Sequence, residues 1–473
     1  MKLDRLSLTD GKLLPLNQLI VELGFNKYFN DEVILTGCDP ILRSPHRLGE
    51  AVSSVLALDA VGAAAIWKFR TGQENNINLN IFDTIHYLHP THFIWQSGHK
   101  IFLGAETVPT NGLFTCEDGR IVMIESGPPY KKLETGYLNF FNCGNNKEAI
   151  AKVISKWNSL KLQDALSGSG LPCCIAYTKD EWHQHPQGIA LTQVPVIEIE
   201  KIASSSPLGF SNDTKSPLSG VKVLDYTHVL AGPRSTRTLA ELGAEVLHIS
   251  SPYHRDTLAQ NLAVNHGKRS AYLNINNKKE MDKMLELLSE ADIFANSYRP
   301  SVVEKFEITA PQIAKLTKKG IIYLSINAYG HQGPWSKRPG FDQNGQVATG
   351  FAVKEGSFKT PKFSPVFYLT DLITAYFAAA GMMAALLRRA TEGGSYHVKV
   401  SLARSAMWVQ DLGYIDEDIF KKAPTQDNYP VKLITEKTPY GKLTHLASAI
   451  EFSNMPTVKL KPVVPFGANE PKW

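Results

Sequence analysis

The sequence predicts an α/β protein built around a parallel sheet. Residues 221–224 form a short β-rich run, and a turn of small residues at 228–233 leads into a helical pattern at 234–242. A second β-rich run follows at 245–249. A strand, a helix and a second strand in this order open a Rossmann-like sheet, but the turn lacks the glycine pattern of dinucleotide sites. This argues against a nicotinamide or flavin cofactor.

Size and composition are those of a globular protein with two or three domains. The chain has 473 residues, of which 43% are hydrophobic, and its net charge of +5 is small for this length. Basic residues are interspersed with acidic ones instead of gathering in one stripe, so we expect no nucleic-acid partner.

The five cysteines have neither the spacing of a disulfide framework nor that of zinc ligands. They are Cys38, Cys116, Cys143, Cys173 and Cys174. The N-terminal stretch 1–10 lacks the apolar core of a signal peptide, and the most apolar run, 372–387, is shorter than the ~18 to 20 residues that cross a bilayer. We therefore expect a reducing, cytoplasmic location, a buried helix at 372–387, no metal site and no membrane partner.

An alanine-rich helix, a glycine and a strand follow one another at two places in the chain. The copies are 50–69, Gly72 and 76–81, and then 371–389, Gly393 and 397–402. Superposed without a gap, Glu50 falls on Asp371 and Gly72 on Gly393, a constant difference of 321 positions. The sequence thus predicts an internal repeat.

Further motifs follow in one order along the second half of the chain. They are GVKVLDYTHVLAGP at 220–233, NHGKRS at 265–270, ADIFANSYRP at 291–300, YGHQGP at 329–334, RPGFD at 338–342, and Asp371 heading the second alanine-rich helix. In wording, order and spacing they resemble the class III CoA-transferases, the group that includes formyl-CoA transferase, carnitine CoA-transferase and α-methylacyl-CoA racemase. The resemblance implies a Rossmann-like large domain, a small α+β domain, CoA and acyl-CoA as substrates, no permanently bound cofactor, and an interlocked homodimer.

The same resemblance divides the chain into parts whose order looks rotated. The implied parts are an N-terminal segment (1–42), the latter half of a first large domain (43–98), a small domain (99–203), a linker (204–217), the nucleotide-binding half of a second unit with the nucleophile helix (218–411), and a closing segment (412–473). Together they nearly complete one fold. A pseudo-dimer within one chain is the less favoured alternative, because the first copy lacks its nucleotide-binding half.

Asp371 is the candidate nucleophile. A carboxylate can form an acyl anhydride and then hold CoA as a thioester, and the resemblance assigns this role to Asp371. We expect the dipole and free N–H groups of a helix N-terminus to keep the side chain ionised. Thr-Asp before an apolar run is also typical of an ordinary helix N-cap, and this is the alternative. Glu50, the counterpart in the first copy, is interpreted as a cap or a relic.

Two groups of residues are implied to bind CoA. The first would cradle the pantetheine and present backbone N–H groups to the thioester, and the second would bind the adenosine end and its phosphates. The first group is His228, Val229, Ala231 and Gly232, and the second is Asn265, Lys268, Arg269, Ser297, Arg299 and Lys305. The alternatives are a plain β-α turn and solvated loop charge.

The chain also departs from the family pattern. Phe341 stands where the racemases carry histidine, and phenylalanine cannot transfer a proton, although His331 nearby could be recruited. Leu230 replaces a glutamine of formyl-CoA transferase, and residues 103–109 replace its glycine-rich lid. We expect a CoA-transferase that acts on an acyl-CoA and a small carboxylic acid. The alternatives are an acyl-CoA racemase or isomerase, and a non-catalytic acyl-CoA-binding relative.

Overall fold

The computed structural model describes residues 5–101, 108–127, 130–366, 368–425 and 428–473. The strands are β1 (Arg5–Ser7), β2 (Val33–Thr36), β3 (Ile77–Asn80), β4 (Trp95–Gln96), β5 (His99–Lys100), β6 (Gly112–Thr115), β7 (Ile121–Ile124), β8 (Cys173–Ile175), β9 (Glu198–Ala203), β10 (Lys222–Tyr226), β11 (Glu245–Ser250), β12 (Arg269–Tyr272), β13 (Ile293–Asn296), β14 (Ile322–Asn327), β15 (Ser395–Ser401), β16 (Leu433–Thr438), β17 (Gly441–Leu446) and β18 (Ile450–Phe452). The helices are α1 (Leu14–Leu23), α2 (Leu48–Thr71), α3 (Ile81–Thr84), α4 (Lys131–Phe141), α5 (Lys147–Ile154), α6 (Ser159–Gly168), α7 (Lys179–Gln184), α8 (Pro186–Thr192), α9 (Ala231–Glu241), α10 (Leu258–Val264), α11 (Lys278–Glu290), α12 (Pro300–Lys305), α13 (Ala310–Leu316), α14 (Asp342–Ala348), α15 (Phe351–Glu355), α16 (Leu369–Glu392), α17 (Leu402–Asp411) and α18 (Glu417–Phe420).

The largest sheet has seven strands in the order β12-β11-β10-β13-β14-β15-β9. All neighbouring pairs from β12 to β15 are parallel, which confirms the predicted parallel sheet. The chain runs from β10 outwards to β11 and β12, and then returns to the other side of β10 to form β13. The carboxyl ends of β10 and β13 therefore flank a topological switch point, which is where open α/β sheets bind their ligands.

The predicted internal repeat is visible in the two longest helices. α2 and α16 have 24 residues each, and their first residues, Leu48 and Leu369, keep the difference of 321 positions. Both helices end at glycines with positive φ, Gly72 at 77° and Gly393 at 62°. Such backbone is costly for residues with a Cβ, which explains why each helix stops at its glycine. The two helices pack against each other.

α2 and α16 are each long and apolar enough to cross a membrane, judged by length and composition alone. The most apolar 18-residue window is 89% buried in α2 and 100% buried in α16. The apolar run at 372–387 is thus part of a helix of 24 residues, which is longer than the run itself. Both helices lie in the core of the fold.

The closing segment folds back onto the first part of the chain. β2 and β3 are parallel neighbours in a four-stranded sheet of order β1-β2-β3-β18. β18 pairs antiparallel with β3, and β17 pairs antiparallel with β4. Strands separated by more than 300 positions therefore complete the two smaller sheets of this half.

A small unit follows the first repeat. Its antiparallel sheet β6-β7-β8 packs with α4, α5 and α6 around a separate apolar core that includes Phe114, Tyr137 and Leu166. We expected this unit to extend to residue 203, but β9 pairs with β15 of the large sheet. The small unit therefore ends before β9. None of the five cysteines forms a disulfide.

Candidate active site

A cavity of about 310 Å³ lies between the small unit and the carboxyl edge of the large sheet. Glu125 and Tyr130 line it from the small unit, and Val229 lines it from the loop after β10. Asp342 lines it from the first turn of α14, and Asp371 from the first turn of α16. The site thus combines segments from both halves of the chain at the switch point of the sheet.

Asp371 is not the cap of its helix. α16 begins two residues earlier, and its N-cap residue is Tyr368, which provides no side-chain cap. The backbone N–H of Asp371 donates to Oδ1 of Asp342 at 2.8 Å, and the hydroxyl of Thr370 donates to the same oxygen at 2.7 Å. The N-cap alternative for Asp371 is therefore wrong, because Asp342 accepts the helix N–H.

Burial works against the expectation that the helix N-terminus keeps Asp371 ionised. Asp371 is only 7% exposed, and burial together with the neighbouring Asp342 raises its pKa well above the usual range. Burial also raises the pKa of Asp342 to about 6, although the hydrogen bond from Thr370 acts in the opposite direction. The hydrogen bonds that Asp342 accepts favour its ionised form, so they favour Asp371 as the protonated member of the pair.

A third carboxyl group, that of Glu125, was missed by sequence reasoning. Burial raises its pKa well above the usual range, and repulsion from Asp342 and Asp371 adds to the effect. Its Oε2 is buried and has no hydrogen-bond partner. These conditions favour the neutral form of Glu125, and its Oε2 is free to form a hydrogen bond in the cavity wall.

The loop after β10 contacts the loop after β13 and the small unit. The N–H of His228 donates to Oγ of Ser297 at 2.9 Å, and the N–H of Val229 donates to Oδ2 of Asp256 at 3.0 Å. The hydroxyl of Tyr130 donates to the other oxygen of Asp256 at 2.8 Å. These two loop N–H groups, which we expected to face a thioester oxygen, thus already have acceptors within the protein.

Val229 holds an unusual backbone conformation at this point. Its φ is 69°, in the left-handed region that β-branched residues rarely adopt. Such a conformation costs on the order of 1–3 kcal/mol and persists where the surroundings enforce it, often at functional sites.

α9 begins directly after this loop, at Ala231. The N–H groups of a first helical turn have no acceptors within the helix, so Ala231 and Gly232 supply the donors that remain available at the turn. A Cβ on Gly232 would lie 2.4 Å from Cβ of Thr227, which is too close for two carbon atoms. Glycine has no Cβ and therefore avoids this clash.

Lys268 and Asn265 hold the structure of their own loop. The Nζ of Lys268 is buried and donates to Oδ2 of Asp225 at 2.8 Å, to the carbonyl of Pro233 at 2.7 Å and to Oδ1 of Asn265 at 2.9 Å. The amide of Asn265 donates to Oδ1 of Asn261 at 2.8 Å. An ammonium group has three N–H donors, so a phosphate contact by Lys268 would require breaking one of these bonds.

The remaining predicted cations lie at the surface. Arg269 forms an ion pair with Glu245 at 3.1 Å. Arg299 and Lys305 are exposed at the two ends of α12, and Nζ of Lys305 lies 4.7 Å from the centre of the Phe306 ring. Arg299 and Lys305 keep the exposure that binding to the phosphates of CoA requires, and their role stays a prediction.

Phe341 lines the cavity, where its ring stacks on that of Tyr130 at a centroid distance of 5.8 Å. His331 does not line the cavity; its Nε2 lies 2.8 Å from Oγ of Ser325, which also contacts His397 at 2.7 Å. Burial lowers the pKa of His331 to about 3. His331 therefore supplies no acid or base in this cavity, although the racemase alternative requires one. The stretch 103–109, expected to replace a lid, falls largely outside the described residues.

In the first copy of the repeat, Glu50 does not occupy an equivalent site. Its N–H donates to Oδ2 of Asp39 at 2.8 Å, and its carboxylate pairs with Nη1 of Arg47 at 3.3 Å. Glu50 is therefore not a cap, and it is not one of the described residues that line the cavity.

Comparison with known proteins confirms the family resemblance. Residues 218–435 match the model of CoA-transferase family III. The chain is 31% identical over 304 residues to the acetyl-coenzyme A transferase nodX of Hypoxylon pulicicidum, which covers 60% of this chain and 51% of that protein. It is 33% identical over 205 residues to the succinyl-CoA:glutarate CoA-transferase of Mus musculus, which covers 41% of this chain and 47% of that protein.

The chain spans about half the length of these curated relatives. A solved structure of a CaiB/BaiF family protein from Brucella suis is 23% identical, with a TM-score of 0.40, over 48% of this chain and 65% of that one.

Proposed function

We propose that this protein is a CoA-transferase in which Asp371 is the nucleophile. The observation that carries the proposal is that Asp371 lines the cavity at the switch point while Asp342 accepts the N–H of its helix. A carboxyl group that is not needed as a cap is available for covalent chemistry. The match of residues 218–435 to CoA-transferase family III supports the same class of reaction.

The proposed reaction begins once the carboxyl group of Asp371 has released its proton to solvent. The resulting carboxylate attacks the thioester carbon of an acyl-CoA. The C–S bond breaks, which gives an acyl-aspartyl anhydride and the CoA thiolate. The thiolate attacks the aspartyl carbonyl, releases the donor carboxylate and leaves CoA as a thioester on Asp371. An acceptor carboxylate then attacks this thioester to form a second anhydride, and the thiolate attacks its acyl carbon to form the new acyl-CoA.

Glu125 fits the developing negative charge of this attack. A neutral carboxylic acid in an apolar site can donate a hydrogen bond to an oxyanion, where a carboxylate would repel it. The raised pKa and the unpartnered Oε2 of Glu125 meet this requirement. The N–H groups at the start of α9 are further candidate donors.

Lys147 is suited to the acceptor acid. It is exposed, and it is the only lysine or arginine among the described residues that line the cavity. An ammonium group at the cavity rim attracts a carboxylate to the site. We therefore assign the acceptor carboxylate to the side of the cavity near Lys147.

The test is covalent trapping on Asp371. The purified protein is incubated with a panel of acyl-CoA esters, with and without hydroxylamine, and its peptides are analysed by mass spectrometry. We expect a hydroxamate on the Asp371 peptide, its loss in Asp371→Asn, and its retention in the matched control Glu50→Gln. An unmodified Asp371 across the panel, in protein that still binds CoA, would favour the non-catalytic acyl-CoA-binding alternative.

A further inference from the structure

Two buried imidazoles and one carboxylate converge at the contact between the closing segment and the large domain. His266 follows α10, Glu436 lies on β16 and His445 lies on β17. Nδ1 of His266 lies 3.0 Å from Oε1 of Glu436, and Nε2 of His445 lies 3.3 Å from the same oxygen. The ring centroids of the two histidines are 4.2 Å apart.

The hydrogen bonds of the two rings determine which nitrogen faces the cluster. Nε2 of His266 lies 2.8 Å from the carbonyl of Leu262, and Nδ1 of His445 lies 3.0 Å from the carbonyl of Leu446. A carbonyl oxygen can only accept, so these two nitrogens carry the N–H groups. In the neutral rings, the other two nitrogens then direct lone pairs at the carboxylate of Glu436. Three acceptors converge, and a cation between them relieves their repulsion.

The spacing of the three atoms suits a metal ion. Zinc binds histidine nitrogen and carboxylate oxygen at about 2.0–2.2 Å, which in a tetrahedron places neighbouring ligand atoms about 3.3 Å apart. The N···O distances of 3.0 and 3.3 Å agree with this geometry. Metal-binding histidines also commonly donate their second N–H to a backbone carbonyl, as both rings do.

Burial leaves one side of the cluster open. The side chains of His266 and His445 are 1% and 7% exposed, whereas that of Glu436 is 28% exposed. This provides a path by which an ion can enter, and room for a water ligand in a fourth position. The guanidinium of the nearby Arg237 is paired at 2.9 Å with Glu241, a carboxylate that it shares with Arg234.

We propose that His266, Glu436 and His445 form a divalent-cation site of the zinc class. The site joins the β16–β17 hairpin to the loop after α10, and so ties the closing segment to the nucleotide-binding half. The sequence predicts no metal site, because the three residues are far apart in the chain and have no recognisable spacing.

The test uses the full-length protein after treatment with EDTA and dialysis. Zn²⁺ is titrated by calorimetry, and Co²⁺ is added as a spectroscopic probe. We expect one equivalent of Zn²⁺ to bind, Co²⁺ to give the visible absorption of a tetrahedral site, and the melting temperature to rise with Zn²⁺. X-ray absorption of the zinc-loaded protein should show two imidazole ligands.

Glu436→Gln removes the anionic ligand at a partly exposed position, and Glu451→Gln on β18 is the matched control. We expect Zn²⁺ to bind at least about 10-fold more weakly to Glu436→Gln and unchanged to the control. Unchanged binding to Glu436→Gln would place the metal elsewhere and overturn the proposal. Absence of Zn²⁺ binding to the wild-type protein would also overturn the proposal. The cluster would then be an ion pair between Glu436 and a protonated histidine. If Glu436→Gln does not fold, the imidazole count from X-ray absorption decides.

Discussion

Asp342 accepts the backbone N–H of Asp371 at 2.8 Å, and Asp39 accepts the N–H of Glu50 at the same distance. Each aspartate is the third residue of a Gly-x-Asp sequence, 340–342 in one case and 37–39 in the other. The two aspartates differ by 303 positions instead of 321, so this likeness lies outside the gapless repeat. Neither Glu50 nor the proposed nucleophile Asp371 caps its helix, but of the two only Asp371 lines the cavity.

Asp342→Asn should shift the pH dependence of CoA transfer. Asparagine still accepts the N–H of Asp371 but carries no charge, so the pKa of Asp371 should fall towards its ordinary value. We expect the rising limb of kcat/KM against pH to move to lower pH. Asp342→Ala, which also loses the hydrogen bond, should cost about 1 kcal/mol more in stability. A pH profile identical to that of the wild type would show that Asp342 does not control the ionisation.

Asp371→Asn should be more stabilising at high pH than at low pH. Burial and Asp342 raise the pKa of Asp371 in the folded protein, so the folded state keeps a proton that the unfolded chain loses. The stability of the wild type therefore falls as the pH rises from the ordinary carboxyl pKa through the folded one. Thermal melts of both proteins at pH 5 and pH 8 measure this. A pH-independent difference would contradict the raised pKa.

Glu125→Leu should lower kcat by about 10²- to 10³-fold, because it removes a hydrogen-bond donor to the oxyanion. Glu125→Gln keeps an N–H donor and should retain most of this activity. Neither variant breaks a hydrogen bond at Oε2 of Glu125, because this atom has no partner. Equal kcat values for the leucine variant and the wild type would remove Glu125 from the mechanism.

Lys147→Gln should raise KM for the acceptor acid by about 10-fold and leave KM for the acyl-CoA donor nearly unchanged. The reason is the loss of the cationic side chain from the described cavity wall. Steady-state kinetics with both substrates varied separate the two constants, and the effect of Lys147 should weaken with added salt. A larger change in the KM for CoA esters would instead place the phosphates of CoA near Lys147.

Lys268→Ala should destabilise the protein by about 3–5 kcal/mol, because it leaves the buried carboxylate of Asp225 without its ammonium partner. Urea unfolding provides the measurement. If Lys268 instead serves mainly to bind phosphate, the variant would keep its stability and show only a higher KM for CoA.

The parallel sheet and the repeat could be predicted from the sequence because both depend on local patterns. The β-rich runs around the turn at 228–233 and the constant offset between Glu50 and Asp371 need no knowledge of packing. The charge state of Asp371 could not be predicted, since it depends on the approach of Asp342 and on the exclusion of water.

Glu125 could not be predicted for a related reason. It lies in the small unit, far from the motifs along the second half of the chain, and only the packed fold brings it to the cavity. Lys268 illustrates the converse: a lysine beside an arginine is typical of a solvated loop, but its ammonium group is buried against Asp225.

The pairing of β18 with β3 has a consequence for biosynthesis. The edge of β3 that receives β18 stays unsatisfied until residues 450–452 have been synthesised, some 370 positions after β3. A nascent chain therefore exposes this sheet edge while the intervening residues are synthesised, and such edges favour aggregation. We expect the sheet of the first half to be completed only after residues 450–452 have left the ribosome, and exposure of its edge until then to limit the yield of folded protein in the cell.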